Sequence, residues 1–111
     1  MTETYNIKRG DTTPLYEAQL KAGDGSVVDL NLVASARLLI EAFGGSNFEG
    51  AMALDAGQQI VSYDWQPGET DVAGGNYKVE IEVTYTSGKI QTFPARGHAF
   101  ITVTEDIGGD A

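Results

Sequence analysis

The chain has 111 residues, no cysteine and one histidine, and its 16 acidic against 7 basic residues give a formal charge of −9. That length suits one domain. The absence of cysteine excludes disulfides and thiolate chemistry, and the charge repels phosphate backbones and anionic lipid, so neither nucleic acid nor membrane is an expected partner. The imbalance is local as well: between Arg37 and Lys78 lie Glu41, Glu49, Asp55, Asp64, Glu69 and Asp71 and no Lys or Arg.

The N-terminus has no apolar run of signal-peptide length, so a cytoplasmically made, soluble chain is expected. Two short strands, Tyr5 to Lys8 and Leu15 to Leu20, are read on either side of Gly10-Asp11-Thr12-Thr13-Pro14, and Gly23-Asp24-Gly25-Ser26 marks a turn. Leu32 to Phe43 is rich in helix formers. Even so, Ala36, Leu38, Ile40 and Ala42 alternate against Arg37, Leu39, Glu41 and Phe43, and the run ends at Gly44-Gly45. A strand is predicted, with context overriding propensity. Leu30 to Phe43 is too short to span a bilayer and is interrupted by Asn31, Arg37 and Glu41.

Phe48 to Leu54 reads as a strand paired with Gln59 to Trp65, which sets Val61, Tyr63 and Trp65 on one face. Pro67 to Gly75 breaks the pattern and suggests a single helical turn. Tyr77 to Tyr85 alternates throughout, Thr86-Ser87-Gly88-Lys89 reverses the chain, and Lys89 to Phe93 alternates again up to Pro94, which together make an antiparallel hairpin. Ala99 to Thr104 is the last strand. Two segments result: residues 1–104 as the folded domain and residues 105–111 as a flexible acidic tail. The fold class expected is all-β, an immunoglobulin-like sandwich of about seven to nine antiparallel strands. Asp71 to Tyr77 is similar to a tyrosine corner, and Trp65 is the candidate core tryptophan.

Catalytic chemistry finds little support. A triad would have to be built on His98, and Glu80 and Glu82 sit beside Lys78 on the outward parity of one strand. No cofactor, catalytic residue or small-molecule substrate is expected. Zinc lacks ligands, whereas Asp24, Ser26 and Asp29, or Asp64, Glu69 and Asp71, offer oxygen donors. Neither set has the spacing of a known calcium loop. Turn chemistry is the expected role, and calcium stays open.

Five stretches recur in the order seen in another group of proteins: Ile7-Lys8-Arg9-Gly10-Asp11-Thr12-Thr13-Pro14-Leu15; Gly25-Ser26-Val27-Val28-Asp29-Leu30; Val61-Ser62-Tyr63-Asp64-Trp65; Ala73-Gly74-Gly75-Asn76-Tyr77-Lys78-Val79-Glu80; and Gly88-Lys89-Ile90-Gln91-Thr92-Phe93-Pro94. The chain resembles the N-terminal immunoglobulin-like domains of bacteriophage baseplate upper proteins, with one extra residue before Tyr77. The resemblance covers residues 7 to 104. It implies a non-enzymatic virion protein of tail, baseplate or neck, made in the host bacterial cytoplasm, docked on other virion proteins and oligomeric in the particle. Proteins of that family continue into larger C-terminal regions, whereas this sequence ends at Ala111, which leaves the place in the particle open. A capsid decoration protein, or a host-surface module in which Tyr5, Tyr16, Phe43 and Phe48 bind a glycan or receptor, is the alternative. Termini and unpaired edges are where small sandwiches add strands, so the interface expected comprises Tyr5, Ile7, Lys8, Arg9, Asp11, Phe48, Glu105 and Ile107.

Overall fold

A computed structural model describes residues 2–94 and 98–105. Their strands are β1 (Thr2–Lys8), β2 (Tyr16–Ala18), β3 (Val33–Phe43), β4 (Ser46–Ala51), β5 (Ala53–Asp55), β6 (Ile60–Tyr63), β7 (Gly75–Tyr85), β8 (Ile90–Phe93) and β9 (His98–Thr104). The only helix among the described residues is a 3-10 turn at Leu30–Leu32, capped by the Asp29 carboxylate. The fold is all-β. One sheet runs β1-β9-β7-β3-β4, with β8 also paired to β7, and a second runs β2-β6-β5. Both contribute to one hydrophobic core, in which Leu38, Ile40, Val79, Val83 and Ile101 of the first sheet meet Tyr16, Val61 and Tyr63 of the second.

The strands are not all antiparallel. β1 runs parallel to β9, from Thr2 opposite His98 to Lys8 opposite Thr104. No hairpin joins these two strands, and the rest of the chain between them serves as the long crossover that parallel pairing requires. The predicted β7–β8 hairpin is present with Ile81 opposite Phe93 and Thr84 opposite Ile90. β9 then pairs with the first half of the same edge of β7, from Gly75 to Val79.

β3 is a strand despite its helix formers. Ala36, Leu38 and Ile40 face the core and stand opposite Val83, Ile81 and Val79 of β7. Burial of one continuous apolar face outweighs propensities of a few tenths of a kcal/mol per residue. The alternation fails at Ala42. A bulge between Ile40 and Phe43, with Ala42 at φ 51°, turns Ala42 outward and buries Phe43, reversing the parity expected for both. The extra residue frees Phe43 to join the ring cluster described below.

The expected strand from Phe48 to Leu54 divides at Met52. β4 pairs with β3 and β5 pairs with β6, so the segment does not run along β6 as one strand. Met52 is buried, and its N–H donates to Ala36 O at 3.0 Å before the chain changes sheets. The crossing links the two sheets. Gly50 makes it possible, because a Cβ there would lie 2.4 Å from Tyr63 Cε1.

Residues 67–74 form no helical turn. Glu69 N–H bonds to Gln66 O and Asp71 N–H to Gly68 O, two successive reverse turns, and Gly68 at φ 88° interrupts any right-handed run. At the end of this loop the Tyr77 hydroxyl donates back to Ala73 O. Thr70, 1% exposed, donates its hydroxyl to Asp11 O at 2.6 Å and ties the loop to the β1–β2 connection.

Candidate interaction surfaces

The expected interface residues fall at two distant places. Tyr5, Ile7 and Lys8 lie on β1, with Arg9 and Asp11 just after it, while Phe48 lies on β4 at the opposite border of the same sheet. Ile107 lies outside the described residues. Ile7 is buried in the core, opposite Val103, and is unavailable to a partner. Lys8 and Asp11 are exposed.

Tyr5 is half-buried, and its hydroxyl is used twice: it accepts from Trp65 Nε1 at 3.0 Å and donates to Pro14 O. Its ring stands edge-on to Tyr16 with centroids 5.1 Å apart. Burial raises its pKa, partly offset by the Trp65 bond. Trp65, 2% exposed, is thereby the link from β1 into the core.

Arg9 and Glu105 meet, as parts of one clasp. Arg9 Nε donates to Asp71 Oδ1 at 2.7 Å and Nη1 to Glu105 Oε1 at 3.3 Å, while Glu105 Oε2 accepts from Gly74 N–H at 2.7 Å. The hydrogen bonds to Asp71 and then Glu105 raise the Arg9 pKa. Glu105, expected at the head of a flexible tail, is held against the loop that precedes β7. Asp71 was not predicted as part of this cluster, since it joins Arg9 across 62 positions of sequence.

The aromatic candidates are largely occupied. Tyr16 and Phe43 are each 6% exposed and cannot form a glycan platform. Phe48 is half-buried, its ring packed against Phe43, Tyr63 and Trp65 at centroid distances of 5.8, 5.6 and 5.9 Å.

The oxygen-rich turns are satisfied internally. Asp24 accepts from the Ser26 hydroxyl and N–H, and these bonds lower its pKa; Asp29 is lowered in the same way by the N–H and side chain of Asn31. The Glu69 carboxylate accepts from the Tyr63 hydroxyl at 2.9 Å and from Gln66 N–H at 2.7 Å. Burial first, then that carboxylate, push the Tyr63 pKa up to about 12. Asp64, Glu69 and Asp71 do not converge, and among the described residues no three His, Cys, Asp or Glu side chains are placed to hold a metal. The His98 side chain lies outside the described residues.

Two further surfaces emerge. A cleft of about 360 Å³ opens between β2 and the junction of β8 and β9, lined by Tyr16, Leu20, Val79, Ile81, Phe93 and Ala99 among others. The second is the outer edge of β4, which ends the six-stranded sheet and pairs with no further strand among the described residues. On the outer face beside that edge, Arg37 binds Glu49 of β4 at 2.8 Å and Glu82 of β7 at 2.9 Å, an ion-pair chain across three strands. No protein family, curated protein or solved structure matches the chain.

Proposed function

We propose that this chain is a non-enzymatic, immunoglobulin-like assembly module that docks on neighbouring subunits of a bacteriophage particle, in tail, baseplate or neck. The observation that carries the immunoglobulin-like reading is the strand order. A sheet in which the long β7 is flanked by β3 and by the β8 and β9 segments, with β4 beyond β3, matches the front sheet of a variable-type domain; β2-β6-β5 takes the place of the back sheet. The parallel β1 on β9 and the hydroxyl of Tyr77 hooked to Ala73 O near the start of β7 fit the same frame.

The virion assignment is supported by the ordered sequence landmarks of the baseplate family. Several belong to the frame itself: Val61, Tyr63 and Trp65 are core residues, and Gly88 at φ 89° turns the β7–β8 hairpin. Arg9 and Asp11 of the first landmark hold the loop before β7 through Asp71 and Thr70. Mass spectrometry of purified particles from a host carrying the gene tests the reading. The chain is expected among the structural proteins, and particles complete without it would overturn the assignment. Capsid decoration predicts recovery with tail-less heads in the same fractionation, and a host-surface role predicts saturable binding of the purified chain to host cells.

A further inference from the structure

We propose that the free edge of β4 pairs with the same edge of a second copy, antiparallel about a two-fold axis at Phe48, to join two six-stranded sheets into one. The proposal deepens the assembly reading by naming a partner and the strand that takes it.

The phase of the backbone fixes which groups a partner can reach. Met52 N–H donates to Ala36 O at 3.0 Å, so the adjoining pair Arg37–Ala51 is one of the antiparallel pairs that exchange no bonds with each other. Leu39–Glu49, two residues along, is another. The N–H and C=O groups of Glu49 and Ala51 therefore face away from β3, followed by alternation by those of Asn47, whereas Phe48 and Gly50 turn theirs inward.

Paired residues must share a sheet face, which restricts a two-fold pairing to registers centred on a residue. Centring on Glu49 would set two like charges directly opposite. Centring on Phe48 sets Asn47 opposite Glu49 of the second copy twice, with four backbone bonds, and brings the two Phe48 residues together as a close pair that exchanges no bonds.

The edge suits this use. Among the six residues of β4 the one ionisable side chain is Glu49, and Arg37 holds its carboxylate. It carries no Lys, Pro or bulge of its own, the devices that blunt edges, while β2 and β5 are blunted by being three residues long. Gly50 pressed on Tyr63 and the Phe48 ring packed on three others hold the strand in place before any partner arrives.

Sedimentation velocity of the wild-type chain up to millimolar concentration tests the proposal. A monomer–dimer equilibrium is expected, and because each copy carries −9, added NaCl should strengthen it. Glu49→Pro removes an outward N–H without touching the β3 ladder and should abolish the dimer while far-UV circular dichroism keeps its β signature. The chain lacks cysteine, so Phe48→Cys reports the axis directly: such pairs bring Cα atoms to about 4.5 Å, inside the range of roughly 4.4–6.8 Å for a disulfide. Oxidation should give a covalent dimer from Phe48→Cys and not from Ser87→Cys at the hairpin tip. A wild-type monomer at every concentration and salt, a dimer that salt weakens or that survives Glu49→Pro, or equal cross-linking at position 87 would each overturn the pairing. A chain monomeric in solution yet present in particles would overturn this edge alone and leave the assembly reading standing.

Discussion

The two border strands of the large sheet, β1 and β4, are held in opposite ways. β1 is tied by polar contacts at Tyr5 and just past its end: the Tyr5 hydroxyl between Trp65 and Pro14, Arg9 N–H on Thr104 O, and the Arg9 clasp on Asp71 and Glu105. β4 is tied by shape, through a glycine against Tyr63 and a phenylalanine among three rings. Both strands end the sheet order; beside β1 the Tyr5 and Arg9 side chains are engaged in internal contacts, whereas β4 has rings packed on its inner face and the Arg37–Glu49 pair on its outer one. The Tyr5 and Arg9 side chains of the N-terminal arm are thus engaged within the fold.

Trp65→Ala should break the contrast most severely, because one indole serves both borders through the Tyr5 bond and the contact with Phe48. A loss of about 3–5 kcal/mol in urea denaturation is expected. Gly50→Ala attacks β4 alone by forcing a methyl onto the Tyr63 ring, with a cost of about 1–3 kcal/mol and a weakened dimer. Thr70→Val leaves Asp11 O short of its donor and should cost about 1–3 kcal/mol in the same assay.

Tyr63→Phe is read best against pH. The Tyr63 pKa stands near 12 in the fold against an ordinary 10.0, so its stabilisation is present below pH 10 and lost as pH rises from 10 through 12. The variant should lack that component of the alkaline fall in melting temperature. Arg9→Gln should have the smallest effect, a slight drop in melting temperature at low salt that vanishes in concentrated NaCl, because the clasp is exposed. A large, salt-independent loss would show that β1 is held more tightly than its contacts indicate.

Much of the strand pattern was legible because burial of one face imposes a period of two that survives in any context. Tyr77 to Phe93 declares both strands and their turn, and even β3 could be separated from a helix by Ala36, Leu38 and Ile40. Residue 42 was not legible, since a bulge depends on what Phe43 meets across the sheets. Nor was the break at Met52, where Phe48 and Leu54 look like one strand and belong to two sheets. Of the site, Tyr5, Arg9 and Glu105 were singled out as interface residues; the fold engages their side chains internally, and the partners Asp71 and Trp65 lie 60 or more positions from Arg9 and Tyr5.

The sequence by itself determined an acidic, all-β chain, because charge and alternation are local or additive properties. Tertiary structure alone decided that β1 runs parallel to β9, that Arg9 is consumed by Asp71 and Glu105, and that β4 ends the sheet among the described residues. Strand direction, ion-pair partners and free backbone groups are set by which segments become neighbours, and that follows from filling one core from two sheets at once.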